Sequence, residues 1–257
     1  RNIDKHYLQN LKCLGYTRIS FGLQDTDYNV QKTINRVQST SHIADLVFEA
    51  RSLGFDSVNL DLIYGLPNQS IETFSSTIAA TKAMMPDRIS LFSYAHLPER
   101  FAAQRKFAEE TLPSSEEKAA LYKLAVNSFT NIGYEMIGLD HFALESDELY
   151  KACQENRLHR NFQGYTTDTC ETMLSFGTTA ISQFKQGYVQ NAPELEDYRQ
   201  GISHNMLTTH KGIALNQDDF IRREIIEQIL CQYQVNLIDF IKKFNLPDTY
   251  FNDVLLS

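Results

Sequence analysis

The sequence predicts an α/β chain, a partial (β/α) barrel followed by a small helical module. Three observations carry this. Apolar runs of period two alternate with runs of helical period, glycines stop the helical runs, and purely helical spacing takes over only near residue 205. The expected units are residues 1–204 for the barrel part and 205–257 for the start of a helical domain.

Leu8, Leu11 and Leu14 recur at helical spacing and stop at Gly15, and the run Thr17 to Leu23 then reads as the first strand. Val30, Ile34 and Val37 share one helical face. Ile43, Leu46, Val47, Ala50 and Leu53 form another, closed by Gly54. From Ser57 to Ile63, Val58, Leu60 and Leu62 alternate with Asn59, Asp61 and Ile63, so the two faces of this strand differ sharply. After the Gly65-Leu66-Pro67 turn, a helix carries Phe74, Ile78 and Met85 up to Pro86, and Arg88 to Tyr94 is the third strand.

Ser114 and Glu117 form a capping box for the next helix, which ends near Gly133 before a fourth strand at Tyr134 to Leu139. Strands joined by helices imply parallel pairing with right-handed crossovers, a doubly wound sheet being the alternative. Beyond residue 150 the pattern turns polar and aromatic, with a strand expected at Met173 to Thr179. Amphipathic helices are expected to start at Pro193 and to run over Phe220 to Leu230 and Leu237 to Phe244.

Composition narrows the function. With 24 basic and 32 acidic side chains, the net charge of -8 argues against nucleic acid as a partner. The longest apolar runs fall far short of the roughly 20 residues of a membrane span. Cys13, Cys153, Cys170 and Cys231 are scattered without a CxxC pair, and are expected as reduced, mostly buried thiols of a cytoplasmic protein. The chain starts at Arg1 without methionine, which leaves the question of a leader open.

In barrels of parallel strands, reactive groups collect at the C-terminal strand ends. Those ends carry Gln24 and Asp25, Asp61 and Tyr64, Tyr94 to His96, and Asp140 with His141. Asp61 should face away from Val58, Leu60 and Leu62. A buried carboxylate needs a partner, which an arginine or a ligand would supply. Asp25 is expected to cap the following loop. Further on, Arg157, His159 and Arg160 precede Asn161 to Tyr165, a mixture suited to a flat acidic ligand. No phosphate loop, zinc-type His/Glu pair or GxSxG elbow occurs, although a hydrolase using Asp61 and a second carboxylate stays open.

Several runs occur in a telling order: Gly22-Leu23-Gln24-Asp25, Asn35-Arg36, Asn59-Leu60-Asp61-Leu62-Ile63-Tyr64-Gly65-Leu66-Pro67, Tyr94-Ala95-His96-Leu97-Pro98, Gly138-Leu139-Asp140-His141-Phe142-Ala143 and His159-Arg160-Asn161-Phe162-Gln163-Gly164-Tyr165-Thr166-Thr167. Together they resemble the oxygen-independent coproporphyrinogen III oxidases, members of the radical S-adenosylmethionine (SAM) enzymes. The Tyr94 and His159 runs distinguish them from the related haem chaperones, which remain the alternative.

The resemblance implies a radical SAM partial barrel, two SAM molecules, and a [4Fe-4S] cluster on a CxxxCxxC motif that this chain does not carry. An internal fragment, inactive by itself, is therefore expected, of a parent that is monomeric and cytoplasmic. It further implies SAM contacts at Gln24, Arg36, Asp61, Ala95 and Ile181. His159 and Arg160 are expected to hold the carboxylates of coproporphyrinogen III, whose two propionates become vinyl groups by hydrogen abstraction and decarboxylation. By that mechanism the protein's part is to position and to exclude water, so neither a catalytic general base nor a metal ligand is expected in this chain. The electron donor is unspecified, and neither nucleic acid nor membrane is an expected partner.

Overall fold

A computed structural model describes residues 3–251, in two compact units that divide between Gln154 and Glu155. The boundary expected at residue 205 falls inside the second unit.

The first unit runs α1 (Lys5–Cys13), β1 (Arg18–Gln24), α2 (Tyr28–Thr33), α3 (Thr40–Ser52), β2 (Ser57–Tyr64), α4 (Ile71–Met84), β3 (Arg88–Ser93), α5 (Ser115–Thr130), β4 (Tyr134–Ile137), β5 (His141–Leu144) and α6 (Glu148–Gln154). Its sheet has the order β1-β2-β3-β5-β4. The strands β1, β2 and β3 are parallel, as expected from the helices between them. The expectation fails at the fourth strand. The run read as one strand to Leu139 ends at Ile137, turns through Gly138, and returns as β5, which pairs antiparallel with both β3 and β4. Two strands joined by a short turn pair with each other, whereas parallel neighbours need a long crossover.

Val58, Leu60 and Leu62 are fully buried, with Phe21, Leu23, Ile89, Leu91 and Phe142, beneath helices that contribute Leu46, Val47, Phe74, Ile78, Leu121 and Phe129. Caps fix the helix starts. Ser114 and Glu117 form the reciprocal box expected for α5, and Ser70 with Thr73 does the same for α4. The α4 helix stops at Met85, whose left-handed conformation precedes Pro86. The α2 helix is shorter than its apolar spacing suggested, because it stops before Ile34 and leaves Val37 exposed.

The second unit comprises a hairpin of β6 (His159–Asn161) and β7 (Gly164–Thr166), then β8 (Ile181–Phe184), β9 (Gly187–Asn191), α7 (Leu195–Ser203), β10 (Thr209–Ala214), α8 (Gln217–Gln232) and α9 (Leu237–Phe244). The antiparallel sheet has the order β10-β9-β8. Met173 to Thr179 is not a strand, since only Met173 makes an isolated bridge, to Gln183. Nor is the stretch after 205 wholly helical, because β10 precedes α8. Ile221, Phe240 and Phe251 form the core beneath α8 and α9.

Candidate functional site

Strand register assembles the site. Gly22 lies opposite Asp61, Asp61 opposite Ser90, and Ser90 opposite His141, so four neighbouring strands contribute one cross-sheet row. Facing neighbours on adjacent strands share a side of the sheet. The apolar parity of β2 goes to the core, and Asn59 and Asp61 stay half-buried on the opposite face.

Among the described residues, Asp61 pairs with no arginine. Its Oδ1 accepts hydrogen bonds from Asn59 Nδ2 at 2.7 Å and Ser20 Oγ at 3.1 Å. Asn59 Nδ2 also lies 2.9 Å from Ser20 Oγ and 3.0 Å from Ser90 Oγ. No second carboxylate among the described residues is hydrogen-bonded to Asp61. Ser90, His141 and Asp140 do line up as nucleophile, base and orienting carboxylate would. Ser90, however, is only 2 % exposed in mid-strand and is not accessible to an acyl substrate.

Gln24 and Arg36 converge on Gly22. Gln24 adopts a left-handed conformation with φ 64°, and the β1/β2 register shifts between Gly22 and Gln24. A non-glycine residue held there costs about 1 kcal/mol, a strain found disproportionately at functional sites. A Cβ on Gly22 would lie 2.4 Å from Gln24 Nε2 and 2.5 Å from Arg36 Nη2, so the missing side chain is what admits both. Arg36 Nη2 donates to the Gly22 carbonyl at 3.1 Å, and Gln38 supports the same carbonyl at 2.7 Å. The buried Arg36 Nε has no hydrogen-bond partner among the described residues. An unsatisfied cationic donor beside a half-buried carboxylate suits a zwitterionic ligand with an anionic tail.

Asp25 caps the loop as expected. It is fully buried and accepts from Asp27 N at 2.7 Å, Gln69 Nε2 at 2.6 Å and Thr77 Oγ1 at 3.1 Å. Burial nevertheless pushes its carboxyl above the ordinary 3.8, against the effect of those hydrogen bonds.

Ala95 is exposed just past β3, and its carbonyl accepts from Gln104 Nε2 at 3.2 Å. His96 Nδ1 lies 3.2 Å from the Tyr94 hydroxyl, and its ring lies beside Phe107. Burial raises the Tyr94 phenol above its usual value.

The other expected positions lie in the second unit. Ile181 opens β8, half-buried, with its carbonyl taken by Ser175 Oγ at 2.7 Å. His159 and Arg160 lie on β6. His159 Nδ1 is 2.9 Å from Glu227 Oε1, and Arg160 stacks 4.6 Å from the centre of the Tyr165 ring. Glu227 carries no sequence signal that links it to His159, 68 positions earlier.

Among the described residues, no three His, Cys, Asp or Glu side chains come together to hold a metal ion, and the cysteines do not fit an iron–sulfur ligand set. Nor are they mostly buried, since Cys13 and Cys170 are exposed and only Cys231 is fully enclosed. No helix among the described residues is long and apolar enough to cross a membrane.

Comparison with known proteins bears on the fold and the family. Residues 1–80 match the Radical SAM superfamily. The solved structure of coproporphyrinogen III oxidase (HemN) from Escherichia coli, described as a radical SAM enzyme, superposes with a TM-score of 0.91 at 41% identity, over 99% of this chain and 58% of that one. The fold is thus the partial barrel of the radical SAM enzymes. More particularly, the chain is similar to oxygen-independent coproporphyrinogen III oxidases along nearly its whole length. It is 41% identical to that of Synechocystis sp. over 98% of this chain, and 42% identical to that of Escherichia coli K12 over 100%. The chain spans about half the length of these relatives, 54% and 56% respectively.

Proposed function

We propose that this chain supplies the SAM-binding sheet and a substrate-binding hairpin of an oxygen-independent coproporphyrinogen III oxidase of haem biosynthesis. The convergence of Gln24 and Arg36 on Gly22, directly across the register from Asp61, carries the reading. Arg36 would take the carboxylate of S-adenosylmethionine, and Asp61 would face its cationic portion. Gln24 closes over Gly22, and Ala95 supplies backbone contact; Ile181, on β8 of the second unit, is a separate apolar SAM contact.

When bound, SAM and a reduced [4Fe-4S] cluster supply one-electron hydrogen abstraction. The protein's contribution is to position and to exclude water. His159 offers its Nε2, which carries no hydrogen bond among the described residues, and Arg160 offers a guanidinium held against Tyr165. Both suit the carboxylates of coproporphyrinogen III, which loses carbon dioxide from two propionates to give protoporphyrinogen IX. The cysteines lack the CxxxCxxC spacing of a cluster site, so turnover requires cysteines from elsewhere in a longer chain, together with an external electron donor.

The test is anaerobic expression of the full-length protein, with iron analysis and a SAM-dependent assay of coproporphyrinogen decarboxylation. Turnover that Arg160→Ala weakens mainly through substrate affinity is the expected result. Haem binding without turnover would replace the oxidase by a haem chaperone on the same barrel.

A further inference from the structure

Asp61 stands at one end of a hydrogen-bonded row that the proposed function leaves unused. At the other end, Asp140 Oδ1 lies 2.6 Å from His141 Nδ1, and His141 Nε2 lies 3.1 Å from Ser90 Oγ. Ser90 Oγ is also within 3.2 Å of Asn59 Oδ1 and 3.0 Å of Asn59 Nδ2, and Asn59 Nδ2 donates to Asp61. The row is anchored as well as bonded, because the Asp140 carbonyl accepts from Leu91 N at 2.7 Å and His141 is the register partner of Ser90.

Counting protons gives the row a direction. An ionised carboxylate only accepts, so Asp140 selects the histidine tautomer with hydrogen on Nδ1. The bare Nε2 then takes the one proton Ser90 has. Ser90 Oγ must in turn accept from Asn59 Nδ2, which keeps the amide nitrogen, and not its oxygen, toward Asp61. Asp61 Oδ1 receives from both Asn59 and Ser20, and its Oδ2 has no protein partner among the described residues.

We propose that Asp140 and His141 form a positioning pair. Through Ser90 and Asn59, they hold Asp61 with one oxygen saturated by the protein and the other presented to the ligand. His141 does not touch the ligand and carries no proton to it. The proposal rests on the SAM-binding reading for the identity of that ligand, whereas the direction of the row does not depend on it.

Two measurements on the full-length protein test it. Ring nitrogen-15 shifts, recorded at about pH 8, should show His141 with hydrogen on Nδ1 and none on Nε2. The opposite tautomer overturns the proposal. Calorimetric titration with SAM should show about tenfold weaker binding in His141→Leu, the scale of one hydrogen bond to a charged group. Ser90→Ala, which keeps the small buried shape, should lose a similar factor. In an Asp61→Ala background, His141→Leu should change affinity by less than about twofold, because its action passes through Asp61.

An equal loss in both backgrounds would make His141 a structural residue, and undiminished binding in both single variants would also refute the pairing. If the unmodified protein takes up no SAM, the functional reading fails, and the ring shifts still decide the direction of the row.

Discussion

Gly22→Ala isolates the site from the fold. The added Cβ would lie 2.4 Å from Gln24 Nε2 and 2.5 Å from Arg36 Nη2, so each tip must withdraw by about 1 Å to reach ordinary contact. Both are ends of flexible side chains, and Gly22 does not have a positive φ, so the backbone can stay in place. The cost falls on the 3.1 Å bond from Arg36 to the Gly22 carbonyl and on the aim of that guanidinium. A misplaced charged hydrogen bond is worth about 1.5–3 kcal/mol, so SAM should bind roughly 10- to 100-fold more weakly.

Stability should fall only modestly, by about 0.5–2.5 kcal/mol, because alanine gains about 0.5–1 kcal/mol over glycine in a strand and so offsets part of the lost bond. Calorimetric titration of the full-length variant, alongside its melting temperature, checks both statements. Unaltered SAM affinity in a fully folded variant would refute the assignment of Gln24 and Arg36 to the site.

Two further expectations concern the fold itself. Asp147 accepts from Arg88 Nε at 2.8 and 2.7 Å, from Ser57 Oγ at 2.9 Å and from Leu149 N at 2.8 Å, with its side chain only 2% exposed. Asp147→Ala leaves Arg88 with Glu148 as its remaining carboxylate partner, 3.1 Å from Nη2 and half exposed, and should destabilise by about 1.5–3 kcal/mol in urea unfolding, a loss under about 0.5 kcal/mol being incompatible with this account. Asp25 gives a pH signature. Its folded-state pKa is raised above the ordinary 3.8, so the folded protein holds the proton more tightly, and stability falls as pH climbs from that value through the raised one. Melting curves of wild type and Asp25→Asn, compared from about pH 4 upward, should show this decline in the wild type relative to the variant.

The parity of β2 was legible in the sequence, since Val58, Leu60 and Leu62 can be buried only by turning Asn59 and Asp61 the other way. The same parity places Ser20 and Ser90 beside them, but short polar residues on strands carry no spacing that singles them out. The approach of Arg36 to Gly22 was not legible, because it depends on where the loop after α2 returns to β1. The hairpin of β4 and β5 escaped for a local reason. Tyr134 to Leu139 reads as one β-rich run, and only the positive φ of Gly138 reveals the turn inside it. His141 was therefore expected at the end of a parallel strand, whereas it begins an antiparallel one and still reaches Ser90. In the second unit, Met173 to Thr179 has strand-like composition but makes only a single bridge.

The reversal at Gly138 also bears on how this segment tolerates insertion and deletion. Side chains alternate between the two faces of a sheet, so a one-residue slip of β5 against β3 would exchange His141 for Phe142. Phe142 is 1 % exposed and packs on Phe129 at 5.5 Å between ring centres. The slip would drive an imidazole into that aromatic core and turn a phenyl ring toward Ser90. Changes of length that shift β5 are thus tolerable only in steps of two.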